Sequence, residues 1–177
     1  MQADEFHITK ISYPELRELQ AISLKTFSEA YAHLNSAENM ADYLARSFST
    51  EQLRKELDNP ESEFYFAKIQ EQTVAYLKIN SGLAQTENQK FEALEIERIY
   101  VLADYQGRRI GQALIELALS RAQTLSTEYI WLGVWEQNPQ AIQFYKKNGF
   151  TEFGTHYFQF GDEKQIDIMM RRVVARG

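Results

Sequence analysis

The stretch LEIERIYVLADYQGRRIGQALIELALSRA, Leu94 to Ala122, reads as strand, tight polar turn and helix, and it decides the fold. Leu94 to Val101 is dense in β-branched and aromatic residues (Ile96, Ile99, Tyr100, Val101), the composition of a strand. Its alternation slips at Glu97-Arg98, where two polar residues fall between apolar ones. A β-bulge there explains the slip, and bulges re-aim side chains beside active sites. Asp104 to Gly107 supplies turn chemistry. From Ile110 the apolar residues Ala113, Leu114, Leu117, Ala118 and Leu125 follow at the three-and-four spacing of an amphipathic helix.

The join between strand and helix carries the chemistry. A helix start leaves unpaired N–H groups at the positive end of a dipole, which suits an anion. Gly107 and Gly111 allow close backbone approach, and Arg108 and Arg109 add charge suited to phosphate. One reading is a diphosphate cradle. The other is an ordinary strand-to-helix turn with glycines for geometry and two solvated arginines.

Composition narrows the classes. With 44% hydrophobic and 13% aromatic residues over 177 positions, a folded globular chain is expected, with one domain over residues 1–177. The absence of cysteine excludes disulfides, thiolate zinc sites and a cysteine nucleophile, and it suits a reducing, cytoplasmic setting. The N-terminal MQADEFHITK carries acids and no apolar run, so no signal peptide is visible. No run of about 18 apolar residues occurs, so no membrane span is expected. The net charge of −6 lies in residues 1–93, which hold 9 basic and 15 acidic residues; residues 94–177 hold 10 of each. Such acidity disfavours nucleic acid and favours a small cation, with plain solubility as the competing explanation. His7, His33 and His156 lack metal-ligand spacing, so no metal is expected and all three read as structural histidines.

Outward from the central unit, Phe6 to Ile11 reads as a strand, and Pro14 opens a helix to about Tyr31 with Leu16, Leu19, Ser23, Phe27 and Ala30 on one face. Met40, Tyr43, Leu44 and Phe48 suggest a second helix, and Ser49 with Gln52 caps a third that Asn59-Pro60 ends. Phe64 to Ile69 and Val74 to Ile79 read as paired strands, and Ser81 to Lys90 as a polar, mobile loop. Tyr129 to Val134 is the apolar run of a buried strand, with Trp131 and Trp135 read as core and rim. Asn138-Pro139 starts a helix that Asn148-Gly149 stops, with Lys146 and Lys147 solvated at its end. Glu152 to Phe160 and Gln165 to Val173 form a hairpin across Gly161-Asp162.

Two runs, IERIYVLADYQGRRIGQAL (96–114) and NPQAIQFYKKNGF (138–150), resemble the acetyl-CoA-binding core of the GNAT N-acetyltransferase superfamily. That family opens a helix with Gln/Arg-x-x-Gly-x-Gly/Ala. Two alignments fit: Arg108-x-x-Gly111-x-Ala113 outright, and Gln106-x-x-Arg109-x-Gly111 with arginine where glycine is usual. The second keeps the common spacing from the strand, and Arg109 is harmless there provided its φ is ordinary. The second run is similar to the family's Asn-x-x-Ala-x-x-Phe-Tyr-x-x-x-Gly-Phe signature at Asn138, Ala141, Phe144, Tyr145, Gly149 and Phe150. MADYLARSFSTEQLRKEL (40–57) and SEFYFAKI (62–69) resemble the PaiA-like spermidine/spermine acetyltransferases.

The resemblance implies an α/β fold with a mixed, mostly antiparallel sheet, a central splayed parallel strand pair and helices on both faces. It implies that the pantetheine arm of acetyl-CoA fills the splay, pairing with the backbone of Ile99, Tyr100 and Val101 as an added strand. The diphosphate then rests on Gly107, Arg108, Arg109, Ile110, Gly111 and Gln112, with Asn138 near the thioester and Lys147 within reach of a phosphate. Tyr145 is the expected acid for the leaving thiolate, although spacing alone reads it as a core aromatic. Glu97 and Glu95 are candidates for a proton path or an ammonium contact. A carboxylate of pKa about 4.3 does not strip an ammonium of about 10.4 without burial or a water relay. Glu29, Tyr31 and His33 are the expected acceptor wall, with Glu38 and Asp42 as further carboxylates. The partner is a small-molecule amine, a polyamine such as spermidine or spermine, with no nucleic acid and no membrane, taken up by a monomer or homodimer. The alternatives are a protein or peptide N-acetyltransferase and a silent acyl-CoA-binding regulator.

Overall fold

The structure, a computed structural model, describes residues 5–89 and 92–175; Lys90, at the end of the expected loop, lies outside the described residues. Its strands are β1 (Phe6–Lys10), β2 (Ser62–Ile69), β3 (Gln72–Asn80), β4 (Ala93–Val101), β5 (Tyr129–Trp135), β6 (Thr151–Phe160) and β7 (Glu163–Val173). Its helices are α1 (Leu16–Tyr31), α2 (Ala37–Ser47), α3 (Thr50–Asp58), α4 (Ile110–Thr124) and α5 (Pro139–Lys147). Pro14 falls in a single 3-10 turn ahead of α1, where Glu15 accepts the Ser12 N–H at 2.8 Å.

The seven strands form one sheet in the order β1-β2-β3-β4-β5-β7-β6. Every neighbouring pair is antiparallel except β4 and β5. That parallel pair holds register only from Ala93–Tyr129 to Glu95–Trp131, and beyond it the two strands are unpaired. The mixed sheet with a central splayed pair is thus present as expected.

A bulge sits where the alternation slips: Ile79 faces Ile96 and Lys78 faces Arg98, which leaves Glu97 as the extra residue. The bulge inverts the side-chain parity of β4. Leu94 and Ile96 ahead of it, and Ile99 and Val101 after it, all pack into the core shared with α4 and α5. Glu95, Arg98 and Tyr100 consequently point to the other face, where α1, α2 and α3 cover Phe64, Phe66 and Tyr76. Without the extra residue, Arg98 and Tyr100 would turn into the α4 core.

Helix α4 buries Ile110, Leu114, Ile115, Ala118 and Ala122, each fully buried apolar side chain of Leu or Ile size contributing about 1.5–3 kcal/mol. Leu125, expected on that face, lies past the helix end and is exposed. The β6–β7 hairpin turns at Gly161-Asp162 and docks on α2, where the Asn39 amide donates to Asp162 at 2.8 Å. Gln165 donates to Asn35 at 2.9 Å, closing the same side.

Candidate active site

Where β4 and β5 part, three groups of residues meet. The first is the join between β4 and α4. Gly107 has φ +77°, and a Cβ added there would meet nothing within 4 Å, so glycine serves the backbone conformation and leaves open space beside it. Arg109, the residue before α4, has φ +65° and makes no side-chain cap. Its φ is therefore not ordinary, and the left-handed conformation costs a non-glycine residue about 1–2 kcal/mol. Gly111 lets α4 approach α5: an added Cβ would lie 3.3 Å from the Phe144 ring and 3.9 Å from Val101.

The free edge of β4 follows from its pairing with β3. The Leu102 N–H donates to the Val74 carbonyl at 2.9 Å, so alternate residues Leu102 and Tyr100 turn their peptide groups to β3. Ile99 and Val101 turn theirs toward the gap. Of the three residues expected to offer backbone there, Tyr100 is thereby corrected: its peptide belongs to the β3 ladder. The Gln106 amide already donates to the Val101 carbonyl at 3.2 Å.

The second group lies at the gap itself. Tyr31 ends α1 with its hydroxyl 3.5 Å from that of Tyr100 and its ring 6.1 Å from Trp135. The Asn138 side chain also interacts with the Tyr31 hydroxyl, while its Oδ1 accepts the Ala141 N–H at 3.2 Å and caps α5. Tyr145 is buried on the α5 side, its ring centroid 5.4 Å from Phe144 and 5.9 Å from Phe150. Burial first, and then the neighbouring Tyr31, push its hydroxyl above the usual phenol range.

The third group is a cavity of about 320 Å³ on the opposite face, between β4, β5, the hairpin and α1. Aromatic side chains wall it: Phe27, Tyr31, Tyr100, Trp135 and Phe158 among them. Glu87, Glu95, Glu97 and Asp167 line it with carboxylates. Glu97 opposes its own burial through Arg98 and Lys78, which hold its carboxyl down to about 2. It contacts the Lys78 ammonium directly and lies 3.2 Å from Arg98, and both cations also reach Glu56, at 3.1 and 2.7 Å. Glu97 is accordingly a structural anion and a poor base. Glu95 is the opposite case: burial raises its carboxyl, with Glu97 adding to the effect. Its oxygens accept from the Thr86 N–H at 2.8 Å, from the Thr86 hydroxyl, and from Asn80 at 3.1 Å.

These bonds pin the segment after β3, whose polar composition suggests a mobile loop. Gln85 accepts from the Trp131 indole at 2.8 Å, and Gln89 from the Tyr129 hydroxyl at 3.0 Å.

Three expected site residues are placed elsewhere. Glu29 is exposed and accepts the Ala103 N–H at 2.9 Å, fastening α1 to the turn after β4. His33 is exposed in the turn after α1, and Lys147 is exposed on α5. Of the further acidic candidates, Glu38 is exposed on α2 and Asp42 pairs with Arg46 at 2.6 Å. The cavity instead recruits His156, Asp167 and Glu87, which no motif or spacing in the sequence singles out.

Known proteins bear on this arrangement. The family model described as the acetyltransferase (GNAT) family matches residues 19–150. The chain is 37% identical over 168 residues to an uncharacterised N-acetyltransferase of Lactobacillus delbrueckii subsp. lactis, covering 95% of this chain and 97% of that protein. In fold it is similar to the PaiA N-acetyltransferase of Thermoplasma acidophilum, solved in complex with coenzyme A, at a TM-score of 0.78 and 22% identity over 96% of this chain and 99% of that one. A chimeric spermidine N-acetyltransferase from Vibrio cholerae gives a TM-score of 0.67 at 19% identity, over 95% of this chain and 94% of that one.

Proposed function

This chain belongs to the GNAT acetyltransferase family, and from that premise we propose that it is a cytoplasmic enzyme transferring acetyl from acetyl-CoA to a primary amine of a small polycation such as spermidine or spermine. The observation that carries the acceptor reading is the aromatic, carboxylate-lined cavity opening onto the β4–β5 gap.

The chain's residues fit the co-substrate at three points. The start of α4 has no side-chain cap, so its first N–H groups and the open space at Gly107 suit a diphosphate. Arg108 and Arg109 add positive charge beside it. Ile99 and Val101 turn peptide groups to the gap, where an amide-bearing arm completes the sheet and displaces the Gln106 amide from the Val101 carbonyl. When bound, the thioester supplies an activated carbonyl and a thiolate leaving group.

The neutral amine attacks from the cavity side. A nitrogen–carbon bond forms as the carbon–sulfur bond breaks. Tyr145 donates its hydroxyl proton toward the departing sulfur, and the surplus proton on the new amide nitrogen restores it. Asn138 and Tyr100 hold Tyr31 at the gap, on the wall of the cavity.

Distal ammonium groups meet the cavity's own carboxylates, Glu95 among them, rather than the exposed carboxylates of α1 and α2. Each partly exposed ion pair contributes only about 0–1 kcal/mol, and each cation–π contact about 0.5–2 kcal/mol. Several together give about 1–3 kcal/mol, so spermidine or spermine is expected to show a KM about tenfold or more below that of a monoamine of similar length. Thiol release measured across a panel of amines tests this. The advantage should shrink as salt rises, because screening acts over about 8–10 Å at physiological ionic strength. A KM indifferent to both amine valence and salt would replace the polycation with a neutral or peptide amine.

A further inference from the structure

His156 faces the cavity between two carboxylates. It lies on β6 directly opposite Asp167 of β7, and its ring covers the β5 position where only hydrogen is available: a Cβ at Gly133 would sit 3.0 Å from the imidazole Cε1 and 3.4 Å from the Asp167 carboxylate. Its Nε2 is 3.4 Å from Asp167 Oδ2, and its Nδ1 is 3.9 Å from Glu87 Oε1. Nδ1 is sealed from solvent and has no hydrogen-bond partner among the described residues. A buried imidazole nitrogen left unpaired is costly in a merely structural role.

The three groups form a line. Asp167 stands beside Trp135 in the β5–β7 register, and its charge is felt by the Tyr31 hydroxyl at the gap. His156 is next, and Glu87 follows with its side chain half-exposed at the cavity rim. From this we infer that His156, reached through Asp167 and flanked by Glu87, takes the proton that the acceptor ammonium loses before it attacks.

The inference rests on the acetyltransferase reading and adds the missing base. An ammonium entering the cavity pairs with Asp167 and gives up one proton to its carboxylate. The proton passes to His156 Nε2, and the imidazolium, which keeps its Nδ1 proton, stands between the Asp167 and Glu87 carboxylates; the Nε2 proton leaves through Asp167 to water once the amide product has departed. The amine is left neutral with its lone pair free, and the relay returns to its starting state. Burial lifts the Asp167 carboxyl above the usual carboxylate range, against the pull of His156, which brings it nearer to a proton acceptor's working range. The titratable and charged groups facing the relay are Tyr31 from α1, Tyr43 from α2, Glu95, Glu97, Arg98 and Tyr100 from β4, Tyr157 from β6, and Asp167 and Glu87 themselves. Of the β4 set, Glu97 and Arg98 are already occupied with each other, so neither competes for the proton.

His156→Ala and His156→Gln, assayed for amine-dependent thiol release across pH, test the relay. Near neutral pH both are expected to lose about 100-fold in turnover. The deficit should shrink as the pH nears the amine's own value of about 10.4, where the acceptor arrives without its extra proton. Added imidazole should restore part of the lost rate in His156→Ala. CoA titration and thermal melting of both variants establish that the fold and the donor site are intact. A loss that is constant across pH and unaffected by imidazole, or no loss, would overturn the relay while leaving the acetyltransferase reading in place. Absence of amine-dependent thiol release in the unaltered enzyme would overturn both.

Discussion

Tyr145→Phe is expected to reduce turnover about 100-fold or more while leaving coenzyme affinity and melting temperature nearly unchanged. The separation of effects follows from where the ring sits. Its packing against Phe144 and Phe150 survives the loss of one oxygen. The hydroxyl, by contrast, feels Tyr31 at the gap, and burial keeps it protonated across the physiological range. A phenol in that state holds its proton until the sulfur gains charge, and gives it up only as the new amide nitrogen returns one. Its contribution is therefore confined to the transition state, and kcat and kcat/KM should fall together. Thiol release under saturating acetyl-CoA, with calorimetric titration of CoA beside it, makes the measurement. Turnover within a factor of two of the unaltered enzyme would reduce Tyr145 to a core aromatic, with water protonating the sulfur.

A second large effect is expected in stability. Glu97→Ala removes one anion from a buried set in which Lys78 and Arg98 face Glu56 and Glu97. One positive charge is then left without compensation, a situation that costs about 3–5 kcal/mol. For a chain of this size the melting point should fall on the order of 10 °C. The double replacement Lys78→Met with Glu97→Leu keeps Arg98 balanced by Glu56 and should recover most of that loss. The pH dependence has a fixed sign. Glu97 is held below its unfolded value, so its contribution is complete above about pH 4.5 and is lost as pH falls toward 2. The gap between the unaltered protein and Glu97→Ala should close over that same interval. A loss under 1 kcal/mol at neutral pH would mean that solvent screens the set and that Glu97 is free to titrate.

The fold was legible because local signals agreed with one another. The β4 slip, the apolar face of α4 and the cap and stop of α5 each depend on near neighbours in the chain. The bulge at Glu97 was readable for the same reason. What a slipped alternation could not say is which cations would gather around the displaced carboxylate, since Lys78 and Glu56 arrive from β3 and α3. Arg109 shows a related limit: the motif fixed its position, while its φ depended on how tightly the turn closes. The acidic wall failed for a different reason. Excess charge in the N-terminal half is a sum over a surface: Glu29 binds the turn after β4, Asp42 pairs with Arg46, and Glu38 is exposed at the start of α2. His156 was within reach. Counting back from the Gly161-Asp162 turn sets Phe160 against Glu163 and His156 against Asp167. The register was therefore implicit in the turn, but the depth of that pair was not, because it depends on a glycine in β5, two strands away from His156.

The chain has two tryptophans, and both line the cavity between β4, β5, the hairpin and α1. Trp131 is fully buried with its indole N–H fixed to Gln85, and Trp135 stands at the Tyr31 side of the same space. No third indole dilutes their emission. Intrinsic fluorescence excited at the indole band should thus act as a local optical gauge: acceptor arrival shifts or quenches it, and an amine that never enters the cavity leaves the spectrum where it was.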